Sequence, residues 1–325
     1  MSSKTWCVAF ASLALTLLLA ACPESGRAQE KPLRFIVSAA AVASPDLTVR
    51  TVANEWAKYG GRPAIVENKP GANTMLGAIA LARAAPDGNT VGQLTIGNFA
   101  LLPYLMKEMQ YDPFNDFEPI ALTFFVQNVI VVNPSLPVKD VAELVAYLKA
   151  NPDKVRFASP GVGTALHLFA VLFQQATGTR MTHVPYPSVV QAVPSVMENE
   201  TQVMFSNVAD AIGHIRSGKL RALAATTRER ASAFPDLKTV AEQGYPNFGA
   251  IGWGGILAPK GTPAEVISSY SATIGKIMND PDVKKRLADQ GLEVKTSTPA
   301  EFAAFIASEA QKWSAVIKAA GLNPS

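Results

Sequence analysis

Val155-Arg156-Phe157-Ala158-Ser159-Pro160-Gly161-Val162-Gly163-Thr164-Ala165-Leu166-His167 reads as a short apolar strand, Val155 to Ala158, that runs into a turn of small residues and then into a helix. Such a turn leaves several backbone N–H groups without partners at the start of the helix. The helix dipole adds about half a positive charge there, so the spot favours an anion such as a carboxylate without Lys or Arg. The plainer reading is a tight turn whose glycines serve geometry alone, and this stretch by itself does not separate the two.

The same strand-to-helix alternation recurs along the chain. Strand-like runs fall at Leu33 to Val37, Ala64 to Glu67, Thr90 to Leu94, Val129 to Asn133, Val155 to Ala158, Thr182 to Tyr186, Val203 to Ser206 and Leu220 to Thr226. Between them Val49, Val52, Ala53 and Trp56 share one helical face, as do Val141, Leu144, Val145 and Leu148; these are core stripes. This pattern predicts an α/β fold with parallel-rich sheets and crossover helices. The C-terminal quarter reads as helical. Thr262-Pro263-Ala264-Glu265 and Thr298-Pro299-Ala300-Glu301 have the form of capping boxes, Asp280-Pro281 opens another helix, and Gly291 closes it.

The first 28 residues read as a secretory signal: Lys4, then an apolar run from Val8 to Ala21, then a polar turn at Pro23. Two exits compete. Leu19-Ala20-Ala21-Cys22 has the form of a lipoprotein cleavage site that would acylate Cys22, and Gly26-Arg27-Ala28 that of an ordinary small-x-Ala site. Either predicts a periplasmic protein, lipid-anchored in the first case. Cleavage after Ala28 removes Lys4, Arg27 and Glu24, taking Lys+Arg from 29 to 27 and Asp+Glu from 26 to 25. A formal +2 demands neither nucleic acid nor an anionic membrane. Both cysteines, Cys7 and Cys22, lie in the leader, so the body has no disulfide, thiolate metal site or Cys nucleophile. It is too long for one core and predicts two lobes.

Other motifs fail on inspection. Gly213 to Lys219 fits the start of a phosphate-binding loop, but Leu220 stands where a metal-holding hydroxyl belongs, and the order is helix then strand; Gly218 reads as a helix C-cap. Gly161-Val162-Gly163 lacks the third glycine of a dinucleotide site, since Leu166 takes its place. His167, His183 and His214 form no paired ligand spacing, which predicts no metal and no cofactor. There is no G-x-S-x-G elbow; a Ser159, His167 and Asp210 triad has no support from spacing.

Several stretches together resemble the tripartite tricarboxylate transporter substrate-binding family, the Bug receptors of Bordetella and relatives. They include Lys31 to Val37, Val66-Glu67-Asn68-Lys69-Pro70-Gly71-Ala72, Ala85-Pro86-Asp87-Gly88, Tyr111-Asp112-Pro113, Val131-Val132-Asn133-Pro134, Gly163-Thr164 with His167-Leu168, His183-Val184-Pro185-Tyr186, His214 to Ala224, and Leu257 to Pro263. The resemblance implies a two-lobed, Venus-flytrap fold of type 2-like form. Lobe 1 is expected from 29–127 plus 252–325 and lobe 2 from 128–251, with hinge crossings near Gln127 and Ile251. It implies a non-enzymatic, monomeric receptor for a small organic acid, bound between the lobes by N–H groups, hydroxyls and water, and a partner permease in the inner membrane.

Carried onto this chain, the candidate ligand contacts are Ser38, Ala39, Ser44 and Asp46 after the first strand, Asn73 and Thr74 in the second turn, and Thr95 and Asn98 after the third strand. The other lobe offers Ser159, Gly161, Gly163 and Thr164, then Tyr186, then Ser206, Asn207 and Asp210. Asp46 has a rival role at its helix start, Tyr186 in core packing, and His167 below the cleft. Where the family usually has Pro-Phe-x-Pro-Gly-Gly-x-x-Asp, this chain reads Ser38 to Asp46 and keeps only the aspartate. The usual Gly-Ala-Gly-Gly-Asn reads Gly71-Ala72-Asn73-Thr74-Met75, Val-Pro-Tyr-Lys-Gly reads Val184 to Ser188, and Phe-Asp-Asn reads Phe205-Ser206-Asn207. A cation and an anion are thereby lost, which predicts a ligand bulkier or less charged than a C4 dicarboxylate, possible aromatic acids included. A sensor without transport, or a hydrolase on the same scaffold, are the rival functions.

Overall fold

The computed structural model describes residues 31–322; the expected signal segment, both cleavage sites and Cys22 lie outside them. Two mixed sheets organise the body. The first has the strand order β11-β4-β10-β3-β1-β2, and the second β7-β6-β8-β5-β9. In the first, β1 (Leu33–Val37) pairs in parallel with β2 (Ala64–Asn68) and β3 (Thr90–Thr95), whereas β10 (Gly252–Pro259) runs antiparallel between β3 and β4 (Phe117–Val126), and β11 (Leu292–Val294) closes the edge. In the second, β6 (Arg156–Ser159) is parallel to β7 (Thr182–Pro185) and β8 (Val203–Asn207), and β5 (Asn128–Val132) is antiparallel to β8 and β9 (Arg221–Ala225).

The eight strands read from the pattern all form, within a residue or so at each end. Three more appear that were not expected, and each of them is antiparallel. β4 carries Pro119 and β10 carries Gly252, Gly254 and Gly255, residues that depress strand propensity. The structure uses those defects. β10 shifts register against β4 between Gly254 and Gly255, where a Cβ on Gly255 would lie 2.1 Å from Phe302 Cζ and 2.7 Å from the Ala121 carbonyl oxygen. The close approach lets the C-terminal helix lie directly on the strand.

Helices cover both sheets: α1 (Ser44–Gly60), α2 (Met75–Ala82), α3 (Leu102–Leu105), α4 (Val141–Ala150), α5 (Ala165–Thr177), α6 (Val189–Met197), α7 (Val208–Arg216), α8 (Ala264–Asn279), α9 (Pro281–Asp289) and α10 (Pro299–Ala319). The core stripes of α1 and α4 are buried as the periodicity predicts. Thr298 and Glu301 make a reciprocal capping box, and Asp280 caps α9. Thr262 does not cap α8: its buried hydroxyl donates to the Pro259 carbonyl at 2.8 Å, and the helix starts from Pro263 with no side-chain cap. Gly218 ends α7 at φ +73°, and Gly291 follows α9 at φ +77°.

The chain passes from one sheet to the other with only Gln127 between β4 and β5, and it returns at Gly252. Asn128 ties the two crossings together. Its Oδ1 accepts from Gly252 N at 3.3 Å while its Nδ2 donates to Asn207 Oδ1 at 2.8 Å. Helix α10 touches both halves. Glu309, 6% exposed, accepts from the indoles of Trp253 and Trp313 at 3.1 Å each and is paired with Lys312, while Trp313 stacks on Phe169 of α5 with centroids 5.5 Å apart.

Gly255→Ala is expected to lower unfolding free energy by about 1–3 kcal/mol, because the β-carbon overpacks a contact that cannot yield on the backbone side; urea unfolding of the purified chain measures this.

Candidate functional site

The turns after β2, β3 and β6 converge on a cavity of about 500 Å³, closed further by α3 and by Gly321 and Leu322 from the chain's C-terminal end. Its polar lining comes from Asn73, Thr74, Thr95 and Thr164 with Gly97 and Gly163, and its apolar lining from Ile96, Leu101, Leu102, Leu105, Met106, Val162 and Leu322. None of the fifteen lining residues has an ionisable side chain.

One buried carboxamide positions the wall on the first-sheet side. Asn98, 0% exposed, accepts on Oδ1 from Thr95 N at 3.0 Å and from the Thr95 hydroxyl at 3.4 Å, and donates through Nδ2 to Thr74 Oγ1 at 3.1 Å and to the Thr74 carbonyl at 3.3 Å. Ser38 Oγ lies 3.5 Å from the same Oδ1 and 3.2 Å from the Gln93 carbonyl it donates to. Asn98's own carbonyl accepts from Tyr111, whose phenol burial pushes up to about 12. A turn of π-helical form, Gly97–Leu101, runs on from β3 and delivers Leu101, Leu102, Leu105 and Met106 to the cavity. The residue pattern around the second turn is costly: Ala72, Asn73 and Thr74 sit consecutively at φ +46°, +52° and +76°. Each left-handed non-glycine residue costs roughly 1–2 kcal/mol, and a β-branched threonine fits worst. The bonds from Asn98 hold that turn in place.

On the second-sheet side the 159–167 turn folds on itself. Ser159 Oγ accepts from Gly161 N at 3.2 Å and lies 2.7 Å from His183 Nε2. The Thr164 hydroxyl donates to the Gly161 carbonyl at 2.8 Å and caps α5 by accepting from His167 N. Gly161 and Gly163 stand at φ +122° and +78°, where a side chain would strain. Gly163 N donates to His167 Nδ1 at 3.1 Å, and the imidazoles of His167 and His183 stack with centroids 4.1 Å apart beneath the turn. Burial, then the neighbouring His183, depresses His167 to about 4, and burial lowers His183 as well. The pairing of β6 with β7 brings these histidines together, a neighbourhood that chain spacing does not reveal. Ser159, His167 and Asp210 form no relay, because Ser159 faces His183 and Asp210 accepts from Asn207 Nδ2 at 2.7 Å.

Of the sixteen candidate contacts, Asn73, Thr74, Thr95, Gly163 and Thr164 line the cavity. Ser38 and Asn98 lie behind its wall, and Ser159 and Gly161 shape the turn that carries Gly163 and Thr164. Ala39 gives its carbonyl to Asn68, and Ser44 gives its carbonyl to Thr48. Asp46 is 1% exposed, and its oxygens accept from Val42 N, Arg50 and Asn68; burial alone would raise its carboxyl, but those bonds hold it below its ordinary value. Tyr186 turns its hydroxyl to Glu200 at 3.3 Å. Ser206 is buried, and Asn207 joins Asn128 and Asp210. Asp210 is open to water on one side yet hemmed in by protein, which raises its carboxyl against the lowering bond from Asn207. The residues that sequence reasoning missed are the apolar ones. Sequence reading assigns no role to Leu101 to Met106, and nothing local marks Gly321 and Leu322. Among the described residues no group of three or more His, Cys, Asp or Glu could hold a metal, and no helix is long and apolar enough to cross a membrane.

Residues 48–322 match the family model described as tripartite tricarboxylate transporter family receptor. The protein BugT of Bordetella pertussis is 33% identical over 294 residues, covering 90% of each chain. Among solved structures, R. palustris Rpa4515 with adipate aligns at a TM-score of 0.78 with 27% identity, covering 90% of this chain and 98% of that one. MatC (Rpa3494) from Rhodopseudomonas palustris with bound malate aligns at 0.73 with 28% identity, covering 88% and 98%.

Asn98→Ala strips Thr74 and Thr95 of a buried partner and is expected to cost about 2–3 kcal/mol in urea unfolding. For His167, folded at about 4 against an ordinary 6.5, the unfolded chain binds more protons between those values. Its contribution is therefore complete above pH 6.5 and is lost as pH falls toward 4, by up to ~3 kcal/mol. Unfolding measured at pH 7.5 and pH 5 should show the loss, and His167→Gln, which keeps an acceptor for Gly163 N, should reduce it.

Proposed function

The chain belongs to the tripartite tricarboxylate transporter receptor family, whose members are periplasmic solute-binding receptors, and from that premise we propose that it captures a small organic acid in the cavity between its two lobes and hands it to a tripartite permease of the inner membrane. The observation that carries this reading is the double origin of the cavity wall. Asn73, Thr74 and Thr95 come from the ends of first-sheet strands, whereas Gly163 and Thr164 come from the end of β6. Carboxyl ends of parallel strands are where open α/β sheets place their ligands.

We read the lobes as 29–127 with 252–325, and 128–251, because each sheet draws its strands wholly from one of these sets. Rotation about the adjacent crossings at Gln127 and Gly252 would open the cavity to solvent and close it around a ligand. Closure excludes water, so the hydroxyls, amides and the start of α5 act on a carboxylate in a low dielectric. Binding by dipoles rather than by an arginine fork leaves the receptor able to release its cargo.

A panel of carboxylates in a thermal-shift assay tests the reading. A ligand at 100 times its Kd is expected to add about 2.7 kcal/mol to stability, and a panel in which no acid raises the unfolding temperature would falsify it. Thr164→Val is expected to weaken the binding of any acid found by about tenfold or more, with about 1 kcal/mol lost from the helix cap; calorimetric titration reads the first and urea unfolding the second.

A further inference from the structure

The lining of the cavity is divided by chemistry. Asn73, Thr74, Thr95, Gly163 and Thr164 supply hydroxyls and amides, while Leu101, Leu102, Leu105, Met106, Val162 and Leu322 supply apolar surface, and no side chain of the lining is ionisable. Leu105 also reaches across to the other sheet's turn, since a Cβ on Gly163 would lie 2.9 Å from its Cδ1. A second observation comes from the surface. Of the six large apolar side chains most exposed among the described residues, Val42, Leu76, Val162 and Val190 are 75%, 49%, 64% and 82% exposed. All four stand on the turns, or the first helical turn, that follow β1, β2, β6 and β7. Val162 is the one of the four that lines the cavity, and an apolar group left in water gains only when something apolar covers it.

Resting on the receptor reading above, we infer that the ligand is a monocarboxylate with an apolar body, an aliphatic chain of about six carbons or a benzene ring. The carboxylate lies at the threonine side, and the body lies against Leu101, Leu105, Met106 and Val162. One anion suits the dipoles on that side. A second carboxylate at the far end of such a ligand would lose its water against leucine and methionine with no cation or donor to replace it. Each methylene buried adds about fourfold in affinity, so chain length becomes the main determinant of selection.

The test is calorimetric titration of the full mature chain with butyrate, hexanoate, benzoate, succinate and adipate at one pH and ionic strength. Hexanoate is expected to bind roughly tenfold or more tighter than butyrate, from two methylenes at about fourfold each, and at least tenfold tighter than adipate, which has the same length and a second charge. Succinate or adipate binding as tightly as hexanoate overturns the inference and leaves the receptor reading standing; no binding by any of the five overturns both. Leu105→Gln and Met106→Gln are each expected to lower hexanoate affinity about tenfold while the affinity for adipate holds or rises. Unchanged hexanoate binding in both variants, with unfolding temperatures at the wild-type value, overturns the placement of the body.

Discussion

The ends of β2 and β3, which line one part of the cavity, and the end of β1 behind them are fastened to a single side chain. Asn98 has two amide functions and no exposure, and it uses them on Thr95, on Thr74 and on the vicinity of Ser38. Burial makes those bonds expensive to lose, since each orphaned group would cost a desolvation penalty of roughly 1–3 kcal/mol. The same bonds hold Ala72, Asn73 and Thr74 in backbone wells that such residues avoid. The strain at the wall and the rigidity behind it are two sides of one arrangement. A wall built in this way presents hydroxyls at fixed positions, so little ordering is left to be done when a ligand arrives.

The opposite wall is held differently. There the glycines at 161 and 163 relieve the backbone, and the turn leans on a neutral imidazole through the bond from Gly163 N to His167 Nδ1. His183 stacks against that ring and meets Ser159. Burial disfavours the charge on both rings, and the neighbouring His183, 4.1 Å away, disfavours it further on His167. One wall therefore depends on a carboxamide that does not titrate, and the other on a pair of rings whose burial resists the gain of a proton.

Much of this was legible in the chain. The period of Val49, Val52, Ala53 and Trp56 gave a buried helical face, the Thr298 box gave a helix start, and the small-residue turn at 159–167 gave a wall of the cavity. Strands β4 and β10 were not legible, because Pro119 and the glycines at 252, 254 and 255 argue locally against a strand; the close approach of Phe302 to Gly255, and of Phe124 and Gln93 to Gly254, requires those two glycines. Asp46 offered a carboxylate at a strand end, but Arg50 one helical turn on and Asn68 from β2 consume it. Arg50 could have been read from its spacing of four, whereas Asn68 could not. The apolar part of the cavity was hidden because nothing in the local sequence joins Leu101, Leu102, Leu105 and Met106 to Leu322, which lines the same cavity from more than two hundred positions away.

Strand β10 lies between β3 and β4 yet follows them by more than a hundred positions, after the whole of the second sheet has been made. The first three strands form a contiguous half of the sheet, β3-β1-β2, but β4 has no neighbour until residues 252–259 arrive. The second sheet, by contrast, is contiguous and can assemble as it emerges. Closure of the first sheet therefore waits on residues made after the whole of the second, and the central place of β10 couples the two sheets in the order of their assembly.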